Sequence, residues 1–178
     1  MIEVQNAIKT FDGNQVLKNV SAIFEAGKTN LIIGQSGSGK TVLMKSIVGI
    51  HRIDSGHILY DGRDITIMKR KQLNQLRREI GMLFQGSALF DSMTVLENVR
   101  FPLDMFSDET EDEKDRRARF CLERVELSHA VDLYPSEISG GMQKRAAIAR
   151  AIVLNPKYLF CDEPNSGLAH NTSLLIDK

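Results

Sequence analysis

The chain has 178 residues, of which 42% are hydrophobic and 26% are charged, and its formal net charge is zero. This length and composition suit a globular protein with one buried core. The charge balance gives no sign of a surface for nucleic acid or an anionic membrane, no apolar run approaches the ~20 residues of a membrane span, and the first residues lack the pattern of a signal peptide.

The first 33 residues are predicted to be rich in β-strands. Ile2 and Val4 begin an imperfect apolar alternation, and residues 12–14 (DGN) are a turn signal between two strands. The chain then turns into a short apolar run over residues 29–33, which we expect to be a buried strand. Phe11 stands at the end of the first strand, where an isolated Phe is more often part of the core but can also stack on a purine.

Residues 34–41 (GQSGSGKT) fit the phosphate-binding pattern G-x-x-x-x-G-K-[ST]. The predicted strand before them and a predicted helix over 42–49, with Gly49 as its C-cap, give the motif its usual context, so a glycine-rich turn without a ligand is disfavoured. Glycines allow backbone N–H groups to point at phosphate oxygens, and the helix N-terminus adds partial positive charge. We therefore predict a nucleoside triphosphate site, in which Lys40 contacts the β- and γ-phosphates and the Thr41 hydroxyl binds Mg²⁺. The candidate binding residues are Gly34, Ser36, Gly37, Ser38, Gly39, Lys40 and Thr41.

The next segment is predicted to alternate turns, a helix and a strand. Residues 61–62 (DG) form a hairpin-type turn, residues 69–79 a charged helix, and residues 80–84 a buried apolar strand. Gln85 closes that strand. Taken alone, a Gln in this place is usually a surface residue.

From residue 86 the pattern becomes helical. Thr94 begins a helix as the first residue of a capping box with Glu97, and Pro102 is predicted to mark the end of that helix. An acidic and basic block over 107–119 predicts a solvated helix face rather than an anion site. Its favourable i,i+4 pairs are Asp112 with Arg116, Glu113 with Arg117, and Asp115 with Arg119.

The last third contains an alanine-rich helix and a strand. Pro135 ends the preceding helical segment, residues 139–141 (SGG) open a helix that continues to about 153, and residues 158–161 (YLFC) are expected to form a buried strand. The chain's two cysteines, Cys121 and Cys161, have no metal or redox spacing, which favours a reducing compartment and buried, inert thiols.

Asp162 and Glu163 follow directly after that strand. Ligands of open α/β sheets bind outside the carboxyl ends of the strands. Asp162 would hold Mg²⁺ together with Thr41, and Glu163 would polarise the water that attacks the γ-phosphate as a general base. A solvated strand end is the alternative interpretation, and the phosphate-binding pattern upstream disfavours it.

The order of these elements resembles the ATPase subunits of ABC transporters. The phosphate loop, Gln85, the run ISGGMQKR over 138–145 and the Asp-Glu strand end follow in the order of that family. The resemblance implies an α/β fold, a P-loop NTPase (RecA-like) core with an N-terminal antiparallel β subdomain and an inserted α-helical subdomain. It also implies one ABC ATPase domain over 1–178, incomplete at its C-terminus, with residues 1–86 and 145–178 as the nucleotide-binding core and 87–144 as the helical subdomain with the signature motif.

The same resemblance implies roles for individual residues. Phe11 takes the place of the aromatic residue that stacks on adenine, and Gln85 matches the glutamine that contacts Mg²⁺ or water and senses the transmembrane partner. Ser139, Gly140 and Gly141 match the residues that contact the γ-phosphate bound on the opposite subunit. ATP and Mg²⁺ are therefore the expected ligands. The expected partners are a second copy of the ATPase subunit and a transmembrane permease, through which the protein would work at a membrane.

A finer resemblance points to a cargo. Residues 81–103 (GMLFQGSALFDSMTVLENVRFPL), together with Met142 and the Lys144-Arg145 pair, resemble the Mla/Mce-type phospholipid transporter ATPases. That implies a place at the cytoplasmic face of a bacterial inner membrane, an Mce-type lipid-binding partner and phospholipid traffic between membranes. Another cargo, such as amino acids or a lipoprotein, is the first alternative. A non-transport ABC ATPase of DNA repair or translation is disfavoured because neither a coiled-coil insertion nor a tandem domain is present, and no nucleic-acid partner is expected.

Two departures from the family pattern concern hydrolysis. Ala169 stands where the family has an Asp after the Ser-Gly-Leu run, and the family's switch histidine lies farther along the sequence than His170, which we expect to be a surface loop residue. The chain thus resembles a shortened ATPase subunit. We predict that it binds Mg-ATP and hydrolyses it poorly, so a hydrolysis-deficient ATP-binding fragment is a further alternative.

Overall fold

The sequence pattern of alternating strands and helices is realised in the computed structural model, which describes residues 1–84 and 86–162. The chain divides into two units, Met1–Arg77 and Arg78–Lys178, each with its own packing. The first unit contains β1 (Ile2–Phe11), β2 (Asn14–Phe24), α1 (Lys40–Ile47), β3 (Ser55–Tyr60), β4 (Arg63–Asp64) and α2 (Arg70–Arg77).

The first unit is built on an antiparallel sheet with the strand order β2-β1-β3-β4. The predicted hairpin between β1 and β2 is confirmed: Phe11 pairs with Asn14, and the intervening Asp12 and Gly13 both have positive φ, at 47° and 79°. The Tyr60 hydroxyl, at the end of β3, donates a 2.9 Å hydrogen bond to the Ile47 carbonyl at the end of α1. This buried bond fixes the helix that follows the phosphate loop to the sheet.

The apolar run over 29–33 is not the buried strand that its composition predicts. It has no strand pairing in the described part of the chain, and Leu31 and Ile33 are 82% and 81% exposed. A strand needs a neighbour that accepts and donates along its edge, and the described residues supply none to this run. Instead, the Asn30 side chain bonds to both backbone groups of Glu25, which keeps residues 25–30 in a closed turn.

The second unit combines a helical cluster with a short parallel sheet. Helices α3, α4 and α5 enclose a continuous apolar core to which α3 contributes Val95 and Val99 and α4 contributes Leu122. Among the described helices, none has both the length and the apolar character to cross a membrane. The elements are β5 (Ile80–Leu83), α3 (Val95–Phe106), α4 (Glu111–Arg124), α5 (Gly140–Ile152) and β6 (Tyr158–Cys161), with single 3-10 turns at Ser128–Ala130 and Pro135–Glu137.

Strands β5 and β6 pair in parallel, with Ile80 opposite Tyr158 and Leu83 opposite Cys161. Both predicted strands are therefore present, but the prediction that β6 is buried is wrong, because its residues alternate between half-buried and exposed. Among the described residues β5 is its sheet neighbour, so one face and one edge remain open. Consequently the Cys161 thiol is exposed rather than buried, whereas Cys121 lies in the helical core as expected.

Helix α3 begins as predicted and ends later than predicted. The capping box of Thr94 and Glu97 is present. Pro102 does not end the helix, which continues to Phe106. A proline inside a helix costs about 3 kcal/mol because it removes one backbone hydrogen bond and crowds the preceding turn. Val99 and Leu103, on either side of Pro102, are buried in the core, and their burial offsets that cost.

The charged block on α4 is only partly a solvated face. Asp115 and Arg119 form the predicted pair, at 2.7 Å. Arg117 instead donates to the Val153 carbonyl at 2.9 Å, while Glu113 accepts from the Thr110 backbone and closes a capping box. The Arg117 guanidinium therefore anchors α4 to the end of α5, although the sequence pattern assigns this side chain to the solvated surface.

Candidate nucleotide-binding site

The glycine loop before α1 has the backbone geometry that phosphate binding requires. Gly37 and Gly39 have positive φ, at 77° and 92°, and Gly39 is the N-cap of α1. The Lys40 side chain folds back over the loop, and its Nζ donates to the carbonyl oxygens of Gly34 at 2.8 Å and Gln35 at 2.9 Å. One ammonium group and the first N–H groups of a helix therefore lie at the same exposed loop.

Two of the loop glycines are held in place by close neighbours. A Cβ at Gly39 would lie 3.2 Å from Val16 Cγ1 and 3.3 Å from the Val16 carbonyl oxygen, which seats the loop against β2. A Cβ at Gly34 would lie 2.9 Å from Ser38 Oγ. A side chain at either position would therefore occupy the space inside the loop. With glycine there, backbone groups line that space.

The remaining loop residues supply hydroxyl groups. Ser36 and Ser38 are exposed, and Thr41 lies half-buried in the first turn of α1. The groups gathered here are N–H donors, hydroxyls and one ammonium, and a polyphosphate is a ligand made of acceptor oxygens. The donor set fits a nucleoside polyphosphate, and the Thr41 hydroxyl is a type of group that binds Mg²⁺.

Phe11 lies outside the core, at the tip of the β1–β2 hairpin. Its side chain is 37% exposed, and its ring meets the His51 ring edge-on, with centroids 5.3 Å apart and planes at 74°. The Lys9 Nζ lies 5.1 Å from the Phe11 centroid and 2.7 Å from Asp54 Oδ1. The hydrogen bond from Lys9, together with one from the Thr10 N–H, lowers the pKa of the Asp54 carboxyl.

The second unit places the signature residues at the start of a long helix. Ser139 is the N-cap of α5, and its Oγ accepts a 3.2 Å hydrogen bond from the Met142 N–H. Gly140 is exposed, and a Cβ there would meet no described atom within 4 Å. Ser139, Gly140 and Gly141 thus form an open helix N-terminus with partial positive charge.

Asp162 follows β6 and is half-buried, and its N–H donates to the Leu83 carbonyl at 2.9 Å. The structure therefore places this carboxylate at the carboxyl end of the parallel pair, where the strand pattern predicts it. Gln85 and Glu163 lie outside the described residues, as do Ala169 and His170.

The ABC transporter family model matches residues 17–166 of the chain. The chain belongs to the ABC transporter family. It is 39% identical over 176 residues to the methionine import ATP-binding protein MetN of Clostridium acetobutylicum, covering 99% of this chain and 55% of that protein. It is 40% identical over 181 residues to the probable ribonucleotide transport ATP-binding protein mkl of Mycobacterium leprae, covering 99% of this chain and 52% of that protein.

Solved ABC cassettes share the fold. The ATP-binding cassette MJ0796 in a dimeric post-hydrolysis state, bound to ADP and Pi, superimposes with a TM-score of 0.92 at 32% identity, covering 99% of this chain and 79% of that one. The predicted α/β P-loop fold with an antiparallel β subdomain and helices is therefore confirmed. The chain spans about half the length of the curated ABC relatives described above.

Within each unit, the sequence gives no signal for some contacts near the candidate site residues. The cap of α1 is Val48 rather than the predicted Gly49. His51 is an isolated histidine two residues beyond Gly49, and nothing in its spacing predicts the ring contact with Phe11. Arg150 and Gln143, on α5, bond to Ser87, close to Gln85 in the chain. Each contact joins residues that are distant in sequence, so periodicity does not reveal it.

Proposed function

We propose that the chain is the ATP-binding subunit of an ABC transporter and hydrolyses ATP to drive a membrane permease. The observation that carries the proposal is the phosphate loop, in which Lys40 bridges the Gly34 and Gln35 carbonyls and Gly39 starts α1 in a left-handed conformation. Such a loop binds the β- and γ-phosphates through backbone N–H groups and one ammonium.

The proposed chemistry is mainly positioning and charge neutralisation. Lys40 would leave the loop carbonyls for the phosphate oxygens, and Thr41 and Asp162, with Gln85, would hold Mg²⁺. When bound, Mg²⁺ offsets the negative charge of the β- and γ-phosphates. Glu163 would accept a proton from the attacking water, and the ring of Phe11 would stack on the adenine.

A second copy of the chain is proposed to complete each site. The exposed N-terminus of α5, with Ser139, Gly140 and Gly141, offers N–H donors and a helix dipole that would face the γ-phosphate bound by the other copy. The MJ0796 cassettes are described as dimeric, which supports this arrangement. ATP binding would close the dimer and hydrolysis would reopen it.

The proposed membrane partner is a permease that docks near Gln85 and residues 86–105, in the helical subdomain over 87–144. Phe90 and Met105 are exposed there, and Phe90 packs against Phe101 with ring centroids 4.9 Å apart. Exposed apolar side chains of this kind suit an intermittent protein contact. The subunit would then lie at the cytoplasmic face of the inner membrane.

For the cargo we propose phospholipid, with an Mce-type lipid-binding protein as a further partner, because residues 81–103 resemble the ATPases of that transport system. The names of the relatives, methionine import and ribonucleotide transport, favour a small polar cargo as the second candidate. The two candidate cargoes are distinguished by reconstituting the ATPase with its permease in proteoliposomes and measuring ATP turnover. Turnover stimulated by the phospholipid-binding partner supports the first, and turnover stimulated by methionine or a ribonucleotide supports the second.

The ATPase proposal is tested by measuring Mg-ATP binding and steady-state turnover of the chain and of two variants. We expect Lys40→Ala to abolish binding and Glu163→Gln to preserve binding while abolishing any turnover. Binding without measurable turnover in the unmodified chain would support the alternative of a hydrolysis-deficient ATP-binding fragment. Binding that survives Lys40→Ala unchanged would contradict the phosphate-loop assignment.

A further inference from the structure

We propose that His51 is a positioning residue of the nucleotide site, which holds the Phe11 ring so that its exposed part forms the platform for the nucleobase. The proposal rests on the proposed ATP binding and adds a residue to it. His51 touches the proposed platform rather than the nucleotide. Its role is therefore to fix the position of a neighbouring ring.

The first step is the contact between the two rings. Phe11 ends β1 at a two-residue turn, and about a third of it is exposed. The His51 ring meets it at a centroid distance of 5.3 Å and an interplanar angle of 74°. This is a T-shaped contact, in which the edge of one ring approaches the face of the other. The contact restricts rotation of the Phe11 ring. The ring is therefore already oriented before a nucleobase binds to it.

The second step is a restraint that does not involve His51. Asp54 holds the Lys9 ammonium at 2.7 Å, and that ammonium lies 5.1 Å from the centre of the Phe11 ring. The other Asp54 oxygen accepts from the Thr10 N–H at 2.7 Å, and the Asp54 N–H donates to the Ile8 carbonyl. Phe11 is therefore bounded by an anchored cation and by the His51 ring.

The third step connects this platform to the phosphate loop. The His51 N–H donates to the Lys45 carbonyl at 3.1 Å, so His51 is fixed to the end of α1, the helix that begins at Lys40. Eight helical residues span about 12 Å. At the other end of α1, Gly39 lies against Val16, which belongs to the same hairpin as Phe11. The ring and the loop are therefore held by the same helix and hairpin, so a base and its phosphates meet a single preorganised surface.

This arrangement predicts an effect that depends on the base. Loss of the His51 ring leaves the phosphate loop intact but releases Phe11, so binding of a nucleotide should weaken while binding of a bare polyphosphate should not. The test compares Mg-ATP with Mg-tripolyphosphate on the 178-residue chain by isothermal titration calorimetry, with displacement titrations for the weaker ligand. We expect His51→Ala to weaken ATP about three- to tenfold and to leave tripolyphosphate unchanged.

Two further variants separate ring positioning from a general loss of structure. His51→Phe restores an aromatic ring beside Phe11 and should recover most of the ATP affinity, whereas a merely structural requirement for histidine would not be rescued. His57→Ala is the matched control, because His57 is an exposed histidine of the same unit that pairs with Asp64 and not with Phe11. It should change neither ligand.

The outcomes are distinguishable from failure of ATP binding itself. A chain that binds neither ligand, or that binds both unchanged after Lys40→Ala, contradicts the proposed function. Normal ATP binding by His51→Ala, an equal loss for ATP and tripolyphosphate, or a failure of His51→Phe to recover ATP affinity overturns the role of His51 while leaving the proposed function in place.

Discussion

The half-buried guanidinium of Arg150, on α5, donates a 2.9 Å hydrogen bond to the backbone carbonyl of Ser87. A second bond of 2.8 Å reaches the Ala88 carbonyl, and the Ser87 hydroxyl bonds to Gln143 on the same helix. Residues 87 and 88, which follow Gln85 closely in the sequence, are thus held against α5 by these hydrogen bonds. Burial lowers the pKa of Arg150, which remains charged at neutral pH because its ordinary pKa is far higher.

We expect Arg150→Ala to lower the free energy of unfolding by about 2–3 kcal/mol, because it removes two hydrogen bonds from a charged donor and leaves two carbonyls short of a partner. Arg150→Lys should retain part of the stabilisation, since a single ammonium replaces a guanidinium that donates from two nitrogens. The measurement is urea unfolding followed by circular dichroism. Arg119→Ala, which removes an exposed ion pair to Asp115, is the control and should cost less than about 1 kcal/mol. Equal losses in Arg150→Ala and the control would contradict the assignment.

Gly39→Ala should damage both stability and nucleotide binding. Its φ of 92° strains any L side chain, and its Cβ would press on Val16 at 3.2 Å. We expect a loss of about 1–3 kcal/mol in unfolding free energy, accompanied by at least a tenfold weaker binding of Mg-ATP. Gly13→Ala is the matched control, because it has a φ of 79° with no described atom within 4 Å of its Cβ. That variant should lose stability through strain alone and keep its affinity for ATP.

The parts of the fold that the sequence predicts well depend on short-range contacts. The capping box of Thr94 and Glu97 and the N-cap at Ser139 join residues three apart, so their pattern is visible in the sequence. The turn at Asp12 and Gly13 is similarly local. Such signals also locate the phosphate loop and its helix.

The features that sequence reasoning misses depend on distant partners. Pro102 stays inside α3 because Val99 and Leu103 are buried by other helices, which no local pattern reveals. The run over 29–33, which includes the exposed Leu31, has the composition of a buried strand. A strand forms only where a neighbouring strand pairs with it, and composition does not reveal that pairing. The ring contact of His51 with Phe11 joins residues on separate elements, and only the fold brings them together.

The Asp54 carboxylate should make stability depend on acidic pH. Its pKa in the folded chain is lowered, first by the Lys9 hydrogen bond and then by the Thr10 N–H. A group whose folded pKa lies below its unfolded value stabilises the fold above the unfolded pKa of about 3.9, and the contribution disappears as pH falls through the folded value. Asp54→Asn should therefore lower the melting temperature at pH 7 and show a shallower decrease than the unmodified chain below pH 4. Parallel melting curves for the two proteins from pH 7 down to pH 2 would contradict this.

Ser139 allows helix capping to be separated from phosphate recognition. Ser139→Ala removes the acceptor for the Met142 N–H and should cost about 1 kcal/mol in unfolding free energy. Ser139→Asp supplies another good N-cap, so stability should be preserved, but its negative charge would repel a γ-phosphate presented by a second copy. The measurement is analytical sedimentation in a Glu163→Gln background, which should preserve bound ATP. We expect ATP-dependent dimers when Ser139 is unchanged, fewer dimers with Ser139→Ala and none with Ser139→Asp. Dimers formed equally well by Ser139→Asp would show that α5 does not face the nucleotide of the second copy, because that variant keeps the cap and changes only the charge at the helix N-terminus.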